Sequence, residues 1–210
     1  LQLRRKYIGL TASPYTAVAL LVSLVIFTLT ATSALASNSN TYRYGCYEYG
    51  LNSDGTAFLC KYHGTDDNIV VPNEIEGHQV KELGRAYYGD IFGGRDLKSV
   101  TVPEGITSIS VNAFEDASVE ALDLPSSLTT ITSGPYDGPF YHAKLGTVTA
   151  RSFPDRLFKD CSIDLLVAPE GVTEIYGEAF ENCSIKSVDL PSTLETAVWH
   201  SNPRNIGAFQ

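Results

Sequence analysis

The segment FKDCSI at residues 158–163 returns as FENCSI at residues 180–185, 22 positions further on. Aligned on the phenylalanine, five segments share one layout: FGGRDLKSVTVP from Phe92, FEDASVEALDLP from Phe114, FYHAKLGTVTAR from Phe140, FKDCSIDLLVAP from Phe158 and FENCSIKSVDLP from Phe180. The steps between them are 22, 26, 18 and 22 residues, so the long and the short step cancel. Self-similarity at a fixed period of this size is the mark of a stacked repeat architecture.

Each segment ends in apolar alternation, the pattern of a strand with one buried face. Val100 and Val102 point one way, Ser99 and Thr101 the other. The proline that follows has no N–H for a ladder and closes the strand. Beyond it, Ile106 and Ile109, Leu128 and Ile131, Val172 and Ile175, and Leu194 and Ala197 recur three residues apart. That spacing fits a turn of tight helix or a curved extended segment that returns its apolar residues inward. One such unit cannot bury its apolar face alone, whereas stacked copies cover one another.

A 22-residue period lies within the range of leucine-rich repeats. VPEGITSISVNAFEDAS and APEGVTEIYGEAFENCSIKSVDLPSTL resemble the BspA-like class of these repeats, and NIVVPNEIEGHQVKELG at residues 68–84 resembles the atypical first unit of such an array. The third segment, from Phe140, departs from the pattern, with Arg151 in the proline position. The resemblance implies a solenoid with a β-strand plus a short helix or turn per unit over residues 68–210. It also implies bacterial origin and a secreted or surface role in adhesion or ligand binding. A structural spacer in a larger surface protein and a secreted enzyme are the alternatives. NIGAFQ at the C-terminus reads as the start of a further unit.

The N-terminus carries Arg4, Arg5 and Lys6, the apolar run AVALLVSLVIFTL at residues 17–29, and Ala34-Leu35-Ala36. Basic start, short apolar core and A-x-A site read as a signal peptide over residues 1–36, cleaved after Ala36. The alternative is an uncleaved anchor, for which the run is short. Residues 1–36 hold three basic and no acidic residues, so cleavage takes the net charge from −9 to −12. Such a surface repels nucleic acid and anionic membranes. The partner expected is a protein or glycan, and membrane contact is confined to the signal segment.

Residues 37–67 read as an N-terminal β-hairpin cap. Tyr42, Tyr44, Tyr47 and Tyr49 fall in two short runs, Asn52-Ser53-Asp54-Gly55 makes a turn, and Phe58, Cys60 and Tyr62 return. The open end of a solenoid needs such a cover; a sugar-stacking platform is the other use of these rings. Cys46 and Cys60, one on each arm, are expected to form a disulfide. Cys161 and Cys183 share one slot of successive units, filled by Ala117 and Ala143 elsewhere, and are expected to be buried thiols rather than a bridge.

No nucleophile-elbow, zinc-protease or phosphate-loop motif is present. The four histidines, His63, His78, His142 and His200, stand apart from Cys161 and Cys183 in sequence. Neither a cofactor nor a metal is expected, and the chain reads as a non-enzyme. What an array provides is an extended surface. Two outward columns are expected on the strands: Ser99, Ala121, Thr147, Leu165 and Ser187, and Thr101, Asp123, Thr149, Val167 and Asp189. They make a flat, weakly polar face. A second candidate is the loop Gly134, Pro135, Tyr136, Asp137, Gly138 and Pro139, which holds the extra residues of the long step.

Overall fold

The computed structural model describes residues 41–85, 90–132 and 138–198. Residues 1–36, expected to be a signal peptide, the C-terminal NIGAFQ and loop residues 134–137 lie outside the described residues. Among the described residues no helix is long and apolar enough to cross a membrane.

The chain is built from strands. They are β1 (Thr41–Tyr44), β2 (Tyr47–Leu51), β3 (Ala57–Tyr62), β4 (Asn68–Val70), β5 (Glu74–Ile75), β6 (His78–Leu83), β7 (Asp96–Thr101), β8 (Ser108–Ser110), β9 (Ser118–Leu124), β10 (Thr130–Thr132), β11 (Lys144–Ala150), β12 (Ser162–Val167), β13 (Glu174–Tyr176), β14 (Ser184–Asp189) and β15 (Thr196–Val198). The alternating limb of each unit joins a parallel sheet in the order β4-β7-β9-β11-β12-β14. Its register aligns Ile69, Val100, Leu122, Val148, Leu166 and Val188 across the six strands.

The residues spaced by three form short strands rather than helix. They make a second ladder, β6-β8-β10, with β13 and β15 as a separate pair. A single 3-10 turn at Gly177–Phe180 is the only helical element among the described residues. Three-residue strands suffice because each inward residue, such as Ile109 between Ser108 and Ser110, is covered by the next unit's strand.

The repeated phenylalanine makes the third edge of each turn. Phe92, Phe114, Phe140, Phe158 and Phe180 stack as a continuous spine with ring centroids 4.8–5.6 Å apart. All five are buried. Full burial of each such ring contributes about 1.5–3 kcal/mol. Two positions after each phenylalanine the backbone is left-handed: Gly94, Asp116, His142, Asp160 and Asn182 have φ between 54° and 64°. Glycine is indifferent to that region, and Asn, Asp and His are the side chains most often found there. The varied residues at this slot therefore serve one backbone requirement.

The hairpin arms β1, β2 and β3 extend the second ladder at its N-terminal end, where β3 pairs in parallel with β6. Tyr47 and Tyr62 prolong the aromatic spine, with Tyr62 5.6 Å from Phe92. Arg95 occupies the slot that is Ala or Cys elsewhere. Its guanidinium lies over the Tyr62 ring at 5.0 Å and donates to the carbonyls of Tyr62 and Gly64 at 2.9 and 3.0 Å. The unit from Phe92 thus holds the hairpin by the residue that breaks the small-residue rule.

Candidate functional site

The register places both expected columns on the outer side of the long sheet. Ser99, Ala121, Thr147, Leu165 and Ser187 are aligned partners, preceded by Asn68. Thr101, Asp123, Thr149, Val167 and Asp189 form the next row, preceded by Val70. Leu165 and Val167 are half-buried rather than exposed. The apolar residue that does stand out is Val70, 73% exposed at the sheet's N-terminal edge. Ser99 donates to Asn68 Oδ1 at 2.9 Å, and Ser187 donates to the carbonyl of Asp164 at 2.9 Å.

Alternation alone hides a third row. Between inward Leu97 and inward Val100 stand two residues, Lys98 and Ser99, and the register passes over the first of them. Each strand passes over one residue in the same way with its offset unchanged, so Lys98, Glu120, Gly146, Asp164 and Lys186 form a column of their own. The face is therefore charged and includes basic residues, which corrects the expectation of a weakly polar surface.

The charges are arranged in pairs. Lys98 Nζ lies 2.6 Å from Asp67, and Lys186 Nζ lies 2.6 Å from Asp164. The Lys98 hydrogen bond holds the Asp67 carboxyl below its usual range, and Asp67 in turn raises the Lys98 ammonium. Arg151, the residue in the proline position, contacts the Asp123 carboxylate and donates to the carbonyl of Leu124 at 3.0 Å. The aberrant unit from Phe140 thus neutralises a carboxylate of the second column.

At Gly146 the third column has no side chain. A Cβ there would lie 2.3 Å from the carbonyl oxygen of Glu120, so the close approach of β9 and β11 excludes any other residue. The gap leaves a depression of about 360 Å³, bordered by Glu120, Lys144, Ser162, Asp164 and Lys186. Both signs of charge and hydroxyls converge there. Among the described residues no group of three or more His, Cys, Asp or Glu is arranged to hold a metal ion.

The second candidate, the loop at Gly134–Pro139, is described only at its end. Gly138 and Pro139 are buried, and their carbonyls accept from the N–H groups of Asn112 and Phe114 at 3.1 and 2.8 Å. These two residues belong to the turn of the spine rather than to a protruding surface.

The expected Cys46–Cys60 bridge is absent: both are free thiols. Tyr47 pairs with Tyr62, while Cys60 sits opposite the bulge between Glu48 and Tyr49, so the two cysteines are out of register. Burial pushes the Cys60 thiol up to about 12. Cys161 and Cys183 are buried with sulfurs 3.5 Å apart. Their mutual hydrogen bond, with burial second, holds the Cys161 thiol far above its ordinary range.

The family model for BspA type leucine rich repeat regions matches residues 88–149 and 151–198 in six copies. The chain belongs to that family, whose repeat is a protein-interaction fold. Among solved structures, a leucine rich cell surface protein from Faecalibacterium prausnitzii A2-165 is 22% identical, with 77% of this chain and 45% of that chain covered and a TM-score of 0.36. A leucine-rich repeat protein from Bacteroides capillosus is 17% identical over 78% of this chain and all of that one, with a TM-score of 0.34. A T. pallidum leucine rich repeat protein is 18% identical over 73% and 83% of the two chains, with a TM-score of 0.35. No curated protein matches the chain.

Proposed function

We propose that this chain is an exported interaction module that binds a protein or glycan at a cell surface through the outer face of its long parallel sheet. It acts without a cofactor and without catalysing a reaction. Residues 1–36 direct export and are removed, and residues 37–67 close the N-terminal end of the array. The observation that carries the reading is the alignment of three outward rows across consecutive strands, with the depression at Gly146 near their centre. A rigid ladder fixes these side chains relative to one another, so little conformational entropy is lost on binding. The family membership supports the interaction role in general.

The test is binding of purified residues 37–210 to immobilised extracellular-matrix proteins, glycans and bacterial envelope fractions. A variant combining Glu120→Lys, Asp164→Lys and Asp189→Lys is run beside it. Saturable binding that the variant loses, with an unchanged circular dichroism spectrum, supports the strand face as the site. Binding that survives the triple change rejects that face. Absence of binding to every fraction favours a spacer role.

A further inference from the structure

We propose that Cys161 and Cys183 form a modification site: a thiol pair that a small disulfide, such as glutathione disulfide, oxidises to a covalent rung between the units from Phe158 and Phe180. The two residues fill one slot of consecutive turns, the slot that holds Ala117 and Ala143, each 1% exposed, in the two units before. Burial as thiols is the reduced form of that slot. What sets the pair apart is that two sulfurs occupy it side by side.

The corners that carry them are alike. Each cysteine directly follows a left-handed residue, Asp160 or Asn182, both at φ 54°. Asn182 Nδ2 donates to Asp160 Oδ1 at 3.0 Å, and the N–H of Ser184 donates to the carbonyl of Cys161 at 3.0 Å. The strands that follow continue in register, Ser162 beside Ser184 and Ile163 beside Ile185. Adjacent rungs are spaced by about 4.8 Å, inside the Cα range of roughly 4.4–6.8 Å that a disulfide spans. The sulfurs are 3.5 Å apart, closer than the rungs, so the side chains lean together rather than run parallel. Joining them asks for a rotation about each Cα–Cβ bond and a small approach of the corners, with no change of register.

The chemistry is thiol–disulfide exchange, which needs a thiolate. The mutual hydrogen bond and burial hold the Cys161 thiol far above its ordinary range, so the stacked pair is slow to react. Reaction begins when the two corners part and solvent reaches a sulfur. The thiolate then attacks glutathione disulfide, forming a mixed disulfide and releasing one glutathione, which takes up the proton. When the corners close again, the thiolate of the second cysteine displaces the other glutathione. Two thiols are oxidised to one disulfide, and one glutathione disulfide is reduced to two glutathiones. The unit from Phe180 is the one placed to open: Ile185 and Val188 are half-buried, while their register partners Ile163 and Leu166 are 0% exposed. The bridge therefore ties the looser turn to the tighter one. It lies in the core, away from the three outward rows, so it stands or falls independently of the strand-face reading.

The test is made on residues 37–210, which hold every described element. The reduced chain is unfolded in urea and refolded by dilution into buffer containing glutathione and glutathione disulfide, so access to the sulfurs is not limiting. Free thiols are then alkylated, and the cysteine linkages are mapped by mass spectrometry without reduction. A peptide pair joined through Cys161 and Cys183 is expected as the main product, and the bridged protein is expected to melt roughly 5–10 °C above the reduced one. Cys183→Ala installs the residue the slot holds at Ala117 and Ala143, so it should fold and should show no such shift with oxidant. Refolded protein whose Cys161 and Cys183 are both alkylated, or each bound to glutathione, overturns the proposal. So does preferred linkage of either one to Cys46 or Cys60, a bridged form that melts no higher than the reduced one, or an oxidant-dependent rise that persists in Cys183→Ala. Should Cys183→Ala not fold, the linkage map and the melt of the unaltered chain decide alone.

Discussion

The two ladders of this solenoid respond differently to the same irregular spacing. The long sheet runs unbroken through the 26- and 18-residue steps. The second ladder stops at β10 and restarts at β13. Each unit's phenylalanine, small residue and long strand form one uninterrupted segment, so every spine ring is followed by its strand whatever the unit's length. The variable residues lie after the strand. The insertion falls after β10 and the deletion falls before Leu157, so they cancel in length but not in place. A solenoid tolerates a missing rung where the interior can be filled otherwise. Phe153 does this here, buried and 5.7 Å from Phe180.

The largest expected effect lies in the spine. Phe114→Ala removes a ring stacked on both sides, and a loss of about 3–5 kcal/mol is expected in urea unfolding. The sharpest contrast between regions is Ile109→Ala against Ile131→Ala. The first should cost about 2–5 kcal/mol, the usual toll for a buried isoleucine. The second should cost less than half as much, because Ile131 is only half-buried and, among the described residues, has a strand on one side only. Equal losses would mean that the second ladder is not interrupted.

Gly146→Ala tests the close approach in the long sheet. The new methyl meets backbone rather than a movable side chain, so a loss of about 1–3 kcal/mol is expected in the same assay.

The smallest effect is the pH dependence of the corners. Glu104 accepts from the N–H groups of Ser126 and Ser127, and Glu170 accepts from that of Ser192, 22 residues on in each leading contact. These bonds hold both carboxyls below their ordinary range, with the backbone donor as the main cause. A carboxyl lowered in the folded state stabilises it above the unfolded value, about 4.3. That contribution fades as pH falls through the lower folded value. The double variant Glu104→Gln, Glu170→Gln should therefore show a slightly lower melting temperature at neutral pH and a flatter acid limb. Both carboxyls are solvent-exposed, so the change is small.

Much of the fold was legible because its constraints recur. The period of 22, the phenylalanine and the terminal alternation fixed the unit and the two outward rows. The third row was not legible, because the two residues between Leu97 and Val100 carry no sign of which side each takes. Only the shared register and the exposure of Lys98 show that it and its equivalents stand outside the ladder. Residues three apart suit helix and short strand alike, and stacking against the next copy selects strand. The left-handed slot was present as Gly94, Asp116, His142, Asp160 and Asn182, a set whose common feature is conformational rather than chemical. Cys46 and Cys60 looked opposed on the hairpin arms, but the pairing of Tyr47 with Tyr62 sets Cys46 against His63, three residues away from Cys60.

Hydrogen exchange followed by mass spectrometry on residues 37–210 tests the contrast between the ladders most directly. Slow exchange is expected across Leu145–Ala150 in the unbroken sheet. Markedly faster exchange is expected at Thr130–Thr132 and Glu174–Tyr176, which lie where the second ladder is interrupted among the described residues. Equal protection of all three segments would contradict the account.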